Sequence, residues 1–556
     1  MAAPNDHLFP RTRPGVGARA GAREGCRRRC LWVSVAVGAV QLLLLAAAIP
    51  PNQNNLNPDG IAYLRLASYY AVGNVGLALS GYWGPMLSWA VAILLKLGLV
   101  PLLAGRVAMA LSAVVFAWGS RAVLRRLSLP PLAEHIGFAL SALCSVYWSV
   151  EYISPDLLAS GLLGFAASHL LRPDWPDSQR RARLAGWFFG LAYLAKAVAL
   201  PLAMLATALG AVLWRARGGC TWRRVSASLA ATWLACSLVV APWVTILSVH
   251  YGRLTVSTSA RIAHAVAGPA EVERYHPYAR TFHQPAPGRV TAWEDPSNMA
   301  YRYWSPLQSW STLHHQLRLS ARNTGTALVL LGGFDLAHLG LVGLVACLVL
   351  ALRQGEAGVP AGLWSAAWAG CLMAVYLPGL LQPVDQRYFY VAFPFLFGTV
   401  ASLVAWLTGG VATWRVALAW VVGGFSFVSF LVPSVLGVML ALTGLADPAS
   451  QCAETLAPKL ERAGIRGPIA GSGLLVGGRV GLYVAFLTGQ PWCGDKPNPT
   501  VDDWLRSGAR LMIVNRRPAA VRELERDASF RSLDAVLFAS EAEAAAFPLQ
   551  VFEAVR

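Results

Sequence analysis

Apolar runs of membrane-spanning length recur along most of this chain, separated by short polar or arginine-rich turns. About 17 to 25 apolar residues, rising about 1.5 Å each, are what roughly 30 Å of hydrocarbon asks of an α-helix. On that criterion spans are expected near 31–50, 104–122, 136–151, 155–172, 184–197, 199–214, 228–249, 325–352, 361–380, 389–407 and 415–444, eleven in all. A further run, Pro85 to Leu103, is also long enough to span. Counting it would place Arg121 to Arg126 outside, so it is laid along the outer interface with Lys96 snorkelling.

The arginines orient the spans. The clusters Arg121/Arg125/Arg126, Arg180/Arg181/Arg183, Arg215/Arg217/Arg223/Arg224 and Arg353 then fall on the same side as the basic N-terminus, the cytoplasmic side of a cell (inner) membrane. Residues 1–30 read as a disordered basic cytoplasmic tail, and 31–445 as the transmembrane domain. External loops are expected at 51–103, around Glu151 to Pro155, and at 250–324. The run Leu31 to Ile49 ends in alanines, as a signal peptide does, but is long enough to remain as a span.

After 445 the pattern changes, and 446–556 reads as a small extracytoplasmic α/β domain. Its short apolar runs, Pro468 to Ala470, Val480 to Leu487, Leu511 to Val514 and Ala535 to Phe538, alternate with polar helical stretches. Gly471-Ser-Gly and Gly477-Gly478 lack the spacing of a dinucleotide fingerprint. The fold class is therefore an all-α polytopic membrane domain, with interfacial helices in the first external loop, plus a small C-terminal α/β domain.

Composition agrees. Of 556 residues, 56% are hydrophobic and 13% charged, against roughly 25% charged in a soluble domain. The net charge of +18 lies in loops between apolar runs, so no nucleic acid is expected as a partner. The nine cysteines show neither CxxC pairs nor zinc spacing. Cys452 and Cys493 share the outer side, and a disulfide between them is left open.

Several residues carry candidate chemistry. Asp59 follows Pro58 where the chain leaves the first span, and Asp156 follows Ser154-Pro155 in a tight outer turn. Each reads as a helix cap or as an acid at the mouth of a cavity. Glu151 stands beside the second. Lys196, one of only four lysines, lies near the outer end of an apolar span, where an ammonium either snorkels or meets an anion such as a lipid phosphate. Arg387, in Gln382-Pro-Val-Asp-Gln-Arg-Tyr388, opposes the positive-inside pattern and suits either Asp385 or a substrate anion. Tyr63 lies on the amphipathic helix after Asp59. The long loop offers Trp293-Glu-Asp-Pro, Trp304, Trp310 and His314-His315, aromatic and polar groups suited to stacking on carbohydrate or to an interfacial belt.

In order and membrane side, these pieces resemble the GT-C class of membrane glycosyltransferases, in particular bacterial members of the protein O-mannosyltransferase and aminoarabinose-transferase-like family. The resemblance rests on Asn57-Pro-Asp59-Gly-Ile-Ala-Tyr63, Gly81-Tyr-Trp83-Gly-Pro, Gly105-Arg106, Pro155-Asp156-Leu-Leu, Leu194-Ala-Lys196-Ala and Arg387-Tyr388, across roughly 31–440. It implies Asp59 as catalytic base, Asp156 as second acid, and Lys196, Arg387 and Tyr388 as binders of the donor phosphate. Glu151, Tyr63, Trp83, His314 and His315 become further candidates for substrate contact. Many relatives carry a second acid beside the first, where this chain has Gly60, or a Thr-Lys-Gly at the lysine, where it has Ala195 and Ala197.

The implied activity is inverting transfer of a hexose or pentose from a polyprenyl-phosphate sugar to a lipid, glycan or protein acceptor in the cell envelope. Nothing in the sequence demands a cofactor, and a divalent cation is left open. The same acids and lysine would suit a transporter or flippase of a lipid-linked saccharide. The halves show no inverted repeat, however, and the polar mass gathers on one face.

Overall fold

The computed structural model describes residues 16–216, 220–270, 274–354, 360–378, 385–409, 413–445, 447–473, 477–516 and 518–555. Its membrane part is helical: α1 (Val16–Asn52), α2 (Pro58–Ala71), α3 (Val75–Ala78), α4 (Pro85–Lys96), α5 (Pro101–Leu124), α6 (Pro131–Glu151), α7 (Asp156–Leu170) and α8 (Gln179–Ala195). There follow α9 (Ala199–Ala216), α10 (Trp222–Tyr251), α11 (Ser259–Ala265), α12 (Trp310–Leu331), α13 (Leu339–Gln354), α14 (Pro360–Tyr376), α15 (Phe393–Thr408) and α16 (Thr413–Thr443). Proline opens α2, α4, α5 and α6. There its missing N–H costs nothing, because the first helical N–H groups have no partner anyway.

Among the described residues, six helical stretches are long and apolar enough to cross a membrane. Shorter apolar helices, including α4 and α7, accompany them. Helix α7 packs against α5 and α8, α8 against α10, and α6 against α5 and α16. Lipid tails supply no hydrophobic drive between helices, so close backbone approach does the work. At the α5–α7 crossing a side chain on Gly119 would collide with the Gly161 carbonyl. Asn52 ties α1 to the end of α16, donating to the Ala441 carbonyl at 2.6 Å and accepting from the Leu445 N–H at 2.8 Å.

Three expectations need correcting. The basic tail is helical from Val16, because α1 runs back beyond the apolar segment. The span expected over 325–352 is two helices, and α12 starts at Trp310 with a Ser309/Thr312 capping box, inside the expected loop. The break follows from Gly332-Gly333 and from Asp335, whose buried carboxylate accepts the Gly340 N–H and the Ser429 hydroxyl and so begins a new helix. In the C-terminal region, Val480 to Leu487 and Ala535 to Leu537 lie in helices rather than strands.

That region comprises α17 (Pro448–Arg462), β1 (Ile469–Ser472), α18 (Gly477–Thr488), β2 (Trp492–Asp495), α19 (Val501–Arg506) and β3 (Leu511–Asn515). Then come α20 (Pro518–Arg526), β4 (Phe530–Ser532), α21 (Asp534–Leu537), α22 (Glu541–Ala546) and β5 (Leu549–Ala554). The sheet order is β2-β1-β3-β5-β4, with the first three strands parallel and β5 antiparallel to both neighbours. Helix α18 covers the β1–β2–β3 face, which is why its apolar run resembles a strand in sequence. The domain is tied down by Leu56 N–H to Ser450 Oγ at 2.9 Å, Tyr483 OH to the Leu56 carbonyl at 3.2 Å, and Trp492 N–H to the Val290 carbonyl at 2.7 Å. Cys452 and Cys493 are both free thiols.

Two predictions follow from this packing. Gly161→Val forces α5 and α7 apart, and is expected to lower the detergent melting temperature by about 10 °C or more. Asp495, buried at the end of β2, accepts the Gly473 N–H at 3.0 Å, and burial pushes its carboxyl up to about 7. In the unfolded chain it ionises near about 4, so the folded state loses stability as pH rises through that interval. Asp495→Asn keeps the acceptor and is expected to melt several degrees above wild type at pH 8, with a smaller difference at pH 5.

Candidate functional site

The site begins with the pairing of two loops far apart in sequence. Asn57 is extended (φ −143°, ψ 151°) and does not cap its own helix. Its carboxamide reads the backbone of the α6–α7 turn, accepting the Ile153 N–H at 3.0 Å and donating to the Ile153 carbonyl at 3.4 Å. Arg106, buried in α5, adds a second tie by donating to the carbonyls of Val150 and Asn55. Gly60 stands where these loops touch: a Cβ there would lie 2.6 Å from Asn57 Oδ1 and 2.9 Å from Ile153 Cβ. No second acid beside Asp59 fits that space.

These ties bring the first turns of α2 and α7 together, each carrying its acid. Asp59 accepts from Trp293 Nε1 at 3.3 Å, and its other oxygen lies 3.0 Å from Arg387 Nη2. Arg387 also meets Asp385 at 3.1 Å, and its guanidinium lies 5.0 Å from the Tyr152 ring and 5.4 Å from that of Tyr388. Asp156 is 3% exposed and pairs with Lys196. The lysine sits in the extended break between α8 and α9 (φ −149°, ψ 122°), so its ammonium turns inward to this acid rather than snorkelling. It lies 4.2 Å from the centroid of Tyr388, which stacks on Tyr376 at 5.0 Å. Two acids, two cations and Tyr388 thus converge, and Asp156, Lys196, Arg387 and Tyr388 line one cavity.

An aromatic wall covers Asp59. Trp83 donates from Nε1 to the Trp293 carbonyl at 2.8 Å, and its ring meets Tyr63 at 5.0 Å. Tyr82, Tyr278 and His276 pack on Trp293 at 5.3, 5.1 and 4.4 Å. Burial, then the charges of Asp156 and Asp59, push the Tyr63 phenol well up. Burial and then Asp59 do the same to Tyr82. Burial holds His276 down at about 3, so it is neutral and shares a hydrogen bond with Tyr301 at 2.9 Å.

Other expected residues are placed differently. Glu151 accepts from Tyr147 OH at 3.1 Å, and no hydrogen bond or ion pair joins it to Asp59 or Asp156. His314 is exposed on α12, and His315 bonds the Ala267 carbonyl at 2.8 Å; neither touches the acids or cations. In Trp293-Glu-Asp-Pro the acids are a clasp. Glu294, fully buried, accepts from Tyr69 OH at 2.9 Å and pairs with Arg65 at 3.5 Å, while Asp295 accepts from Tyr251 and Ser297. It is Trp293 that reaches the site. Its role, like those of Tyr82, His276 and Tyr376, had no stronger signal in the sequence than aromatic clustering. Gln382 to Val384 of the Arg387 motif lie outside the described residues. Among the described residues no three His, Cys, Asp or Glu side chains converge as a metal site requires.

No family model matches the chain, and no curated protein sequence does. Solved structures do. ArnT from Cupriavidus metallidurans bound to undecaprenyl phosphate aligns with a TM-score of 0.57 at 16% identity, covering 94% of this chain and 98% of that one. Its apo state aligns at 0.54 and 18%, covering 96% and 98%. The Archaeoglobus fulgidus oligosaccharyltransferase in its apo form aligns at 0.54 and 11%, covering 86% of this chain and 69% of that one. These neighbours are GT-C glycosyltransferases, and at such identities the likeness establishes that fold for this chain.

Gly60→Ala tests the loop pairing. With Asn57 and Ile153 in the way of the new methyl, the substitution is expected to cost about 1 to 3 kcal/mol, read as a drop of several degrees in the detergent melt.

Proposed function

We propose that this chain transfers a sugar from a polyprenyl-phosphate donor to an acceptor hydroxyl or amine at the extracytoplasmic membrane face. The observation that carries this reading is the pairing of Asp59 with Arg387 and of Asp156 with Lys196 around Tyr388 at one end of the bundle. The fold adds support. ArnT was solved with undecaprenyl phosphate, and the archaeal oligosaccharyltransferase AglB, aligning at a TM-score of 0.51, with an inhibitory peptide and a dolichol-phosphate.

In this mechanism the donor phosphate lies against Lys196, Arg387 and the Tyr388 hydroxyl. Its charge competes with Asp59 for Arg387, leaving Asp59 free to act as a base. The acceptor lone pair attacks the anomeric carbon opposite the phosphate, the acceptor proton passes to Asp59, and the C–O electrons leave with the phosphate oxygen. The configuration inverts. A placed base contributes about 10² to 10⁴-fold. Fixed cations facing the leaving oxygen in a water-poor cavity contribute at least as much. Asp156 holds Lys196 in place, and Tyr63, Trp83 and Trp293 form an apolar wall against which a sugar ring packs. The sugar is a hexose or pentose and the acceptor a lipid, glycan or protein.

The topology retained is the sequence reading of eleven crossings, with the N-terminus cytoplasmic, the C-terminal domain outside and the eighth crossing broken at Gly332-Gly333.

Purified wild type and Asp59→Asn, each incubated with radiolabelled polyprenyl-phosphate sugars and an envelope extract, provide the test. Asp59→Asn is expected to release label at least about 10²-fold more slowly at an unchanged melting temperature. If both proteins behave alike on every donor, Asp59 serves only as a countercharge to Arg387 and saccharide transport becomes the better reading. Lys196→Ala is expected to lose both activity and stability, because it leaves a buried carboxylate unpaired. Adding Asp156→Asn to it should recover the melt without the activity.

A further inference from the structure

The opposite end of the bundle is built on the contrary principle. Helix α7 carries Asp156 at its first residue, so its last turn and the α7–α8 turn (171–178) stand about 20 Å away, at about 1.5 Å per residue. The α5–α6 turn (125–130) packs beside them. Around Asp59 every cation has an acid. Here three guanidiniums, Arg126, Arg172 and Arg181, stand within one another's field, and the nearest acid, Asp174, is taken by two of them. Arg172 grips it with two nitrogens, at 2.6 and 3.3 Å, and Arg181 approaches it to 3.7 Å. Glu134 pairs with Arg125 at 3.4 Å.

Arg126 is left over. Among the described residues it makes no ion pair, and its Nε is buried with no acceptor. Burial, then the like charges of Arg172, Arg125 and Arg181, hold it below the usual arginine range. His169, on the last turn of α7, lies in the field of the same arginines, and its Nδ1 is also buried without a partner. So is Trp175 Nε1 in the turn itself. Buried N–H groups almost always find acceptors, so Arg126 Nε and Trp175 Nε1 without one, beside a guanidinium that has no ion-pair partner among the described residues, mark a place where an anion belongs.

We infer that this arginine cluster holds the phosphate of an anionic phospholipid, seated between the α5–α6 and α7–α8 turns on the face that the proposed topology places in the cytoplasm. Placement favours a lipid over a soluble anion. The cluster lies at the ends of the apolar helices α5 and α7, where headgroups stand, and basic sites between helices on this side are the usual seats of acidic headgroups. Arginine suits the task, since its planar fork meets two phosphate oxygens at once. This inference is independent of the catalytic reading.

The test is the melting temperature of the full chain in nanodiscs of phosphatidylcholine with and without phosphatidylglycerol. It compares wild type, Arg126→Gln, Arg126→Lys and, as a control for diffuse charge, Arg223→Gln on the exposed start of α10. Phosphatidylglycerol is expected to raise the wild-type melt by about 5 °C, and that of Arg126→Gln by less than about 2 °C. Arg126→Lys should keep about half the gain and Arg223→Gln all of it. In pure phosphatidylcholine Arg126→Gln should melt no lower than wild type, because it removes a charge that has no partner. An equal gain in Arg126→Gln and wild type, or an equal loss in the Arg223 control, overturns the site and leaves only a diffuse basic face. An equal wild-type gain from inorganic phosphate in pure phosphatidylcholine overturns the lipid.

Discussion

A charge taken out of water at the edge of a membrane must find a countercharge, and the architecture around Asp59 and Asp156 answers that demand. Asp59, Asp156, Lys196 and Arg387 come from four segments separated by tens to hundreds of residues. None is tolerable alone at such depth. Paired, they oblige the first turns of α2 and α7, the break between α8 and α9, and the turn before α15 to meet at one place. The break after α8 is part of that answer, because Lys196 in extended backbone can aim inward where a helical residue would follow its neighbours' face.

The pairing alone would leave the acids open to water. The loop between α11 and α12 closes over them, held by a buried carboxylate that has no chemistry to do. Glu294 binds Tyr69, Arg65 and two backbone N–H groups, so the segment is pinned to α2, and Trp293, one residue earlier, is carried onto Asp59. The C-terminal domain extends the same scaffold through the contact of β2 with Val290. Trp293 therefore reaches Asp59 from a loop, and the structural acids inside that loop hold it in place.

The two ends of the bundle differ in how their charge is balanced. Where substrate phosphate is proposed to enter, the cations are pre-paired with carboxylates, which keeps the empty site neutral and makes phosphate binding a competition. At the other end Arg126 makes no ion pair among the described residues, and the arginine cluster stays positive. The two proposed phosphate seats would thus differ in whether a carboxylate occupies the cation first, one exchangeable and one standing.

Apolar run length and the placement of arginine depend only on local composition and on the thickness of a membrane, and they determine that this is a polytopic membrane protein. The order of short motifs likewise sufficed to nominate Asp59, Asp156, Lys196 and Arg387. What only the tertiary structure decided was partnership: that Lys196 meets Asp156 and Arg387 meets Asp59, that Trp293 rather than His314 or His315 reaches the acids, and that Gly60 is small because Ile153 is beside it. It also decided that the apolar stretch expected at 325–352 breaks at Asp335, and that Val480 to Leu487 is a helix covering a sheet. The physical reason is the same throughout. Hydrophobicity acts residue by residue, whereas an ion pair, a ring contact or a cap against a distant hydroxyl exists only once chain segments far apart in sequence have been brought together.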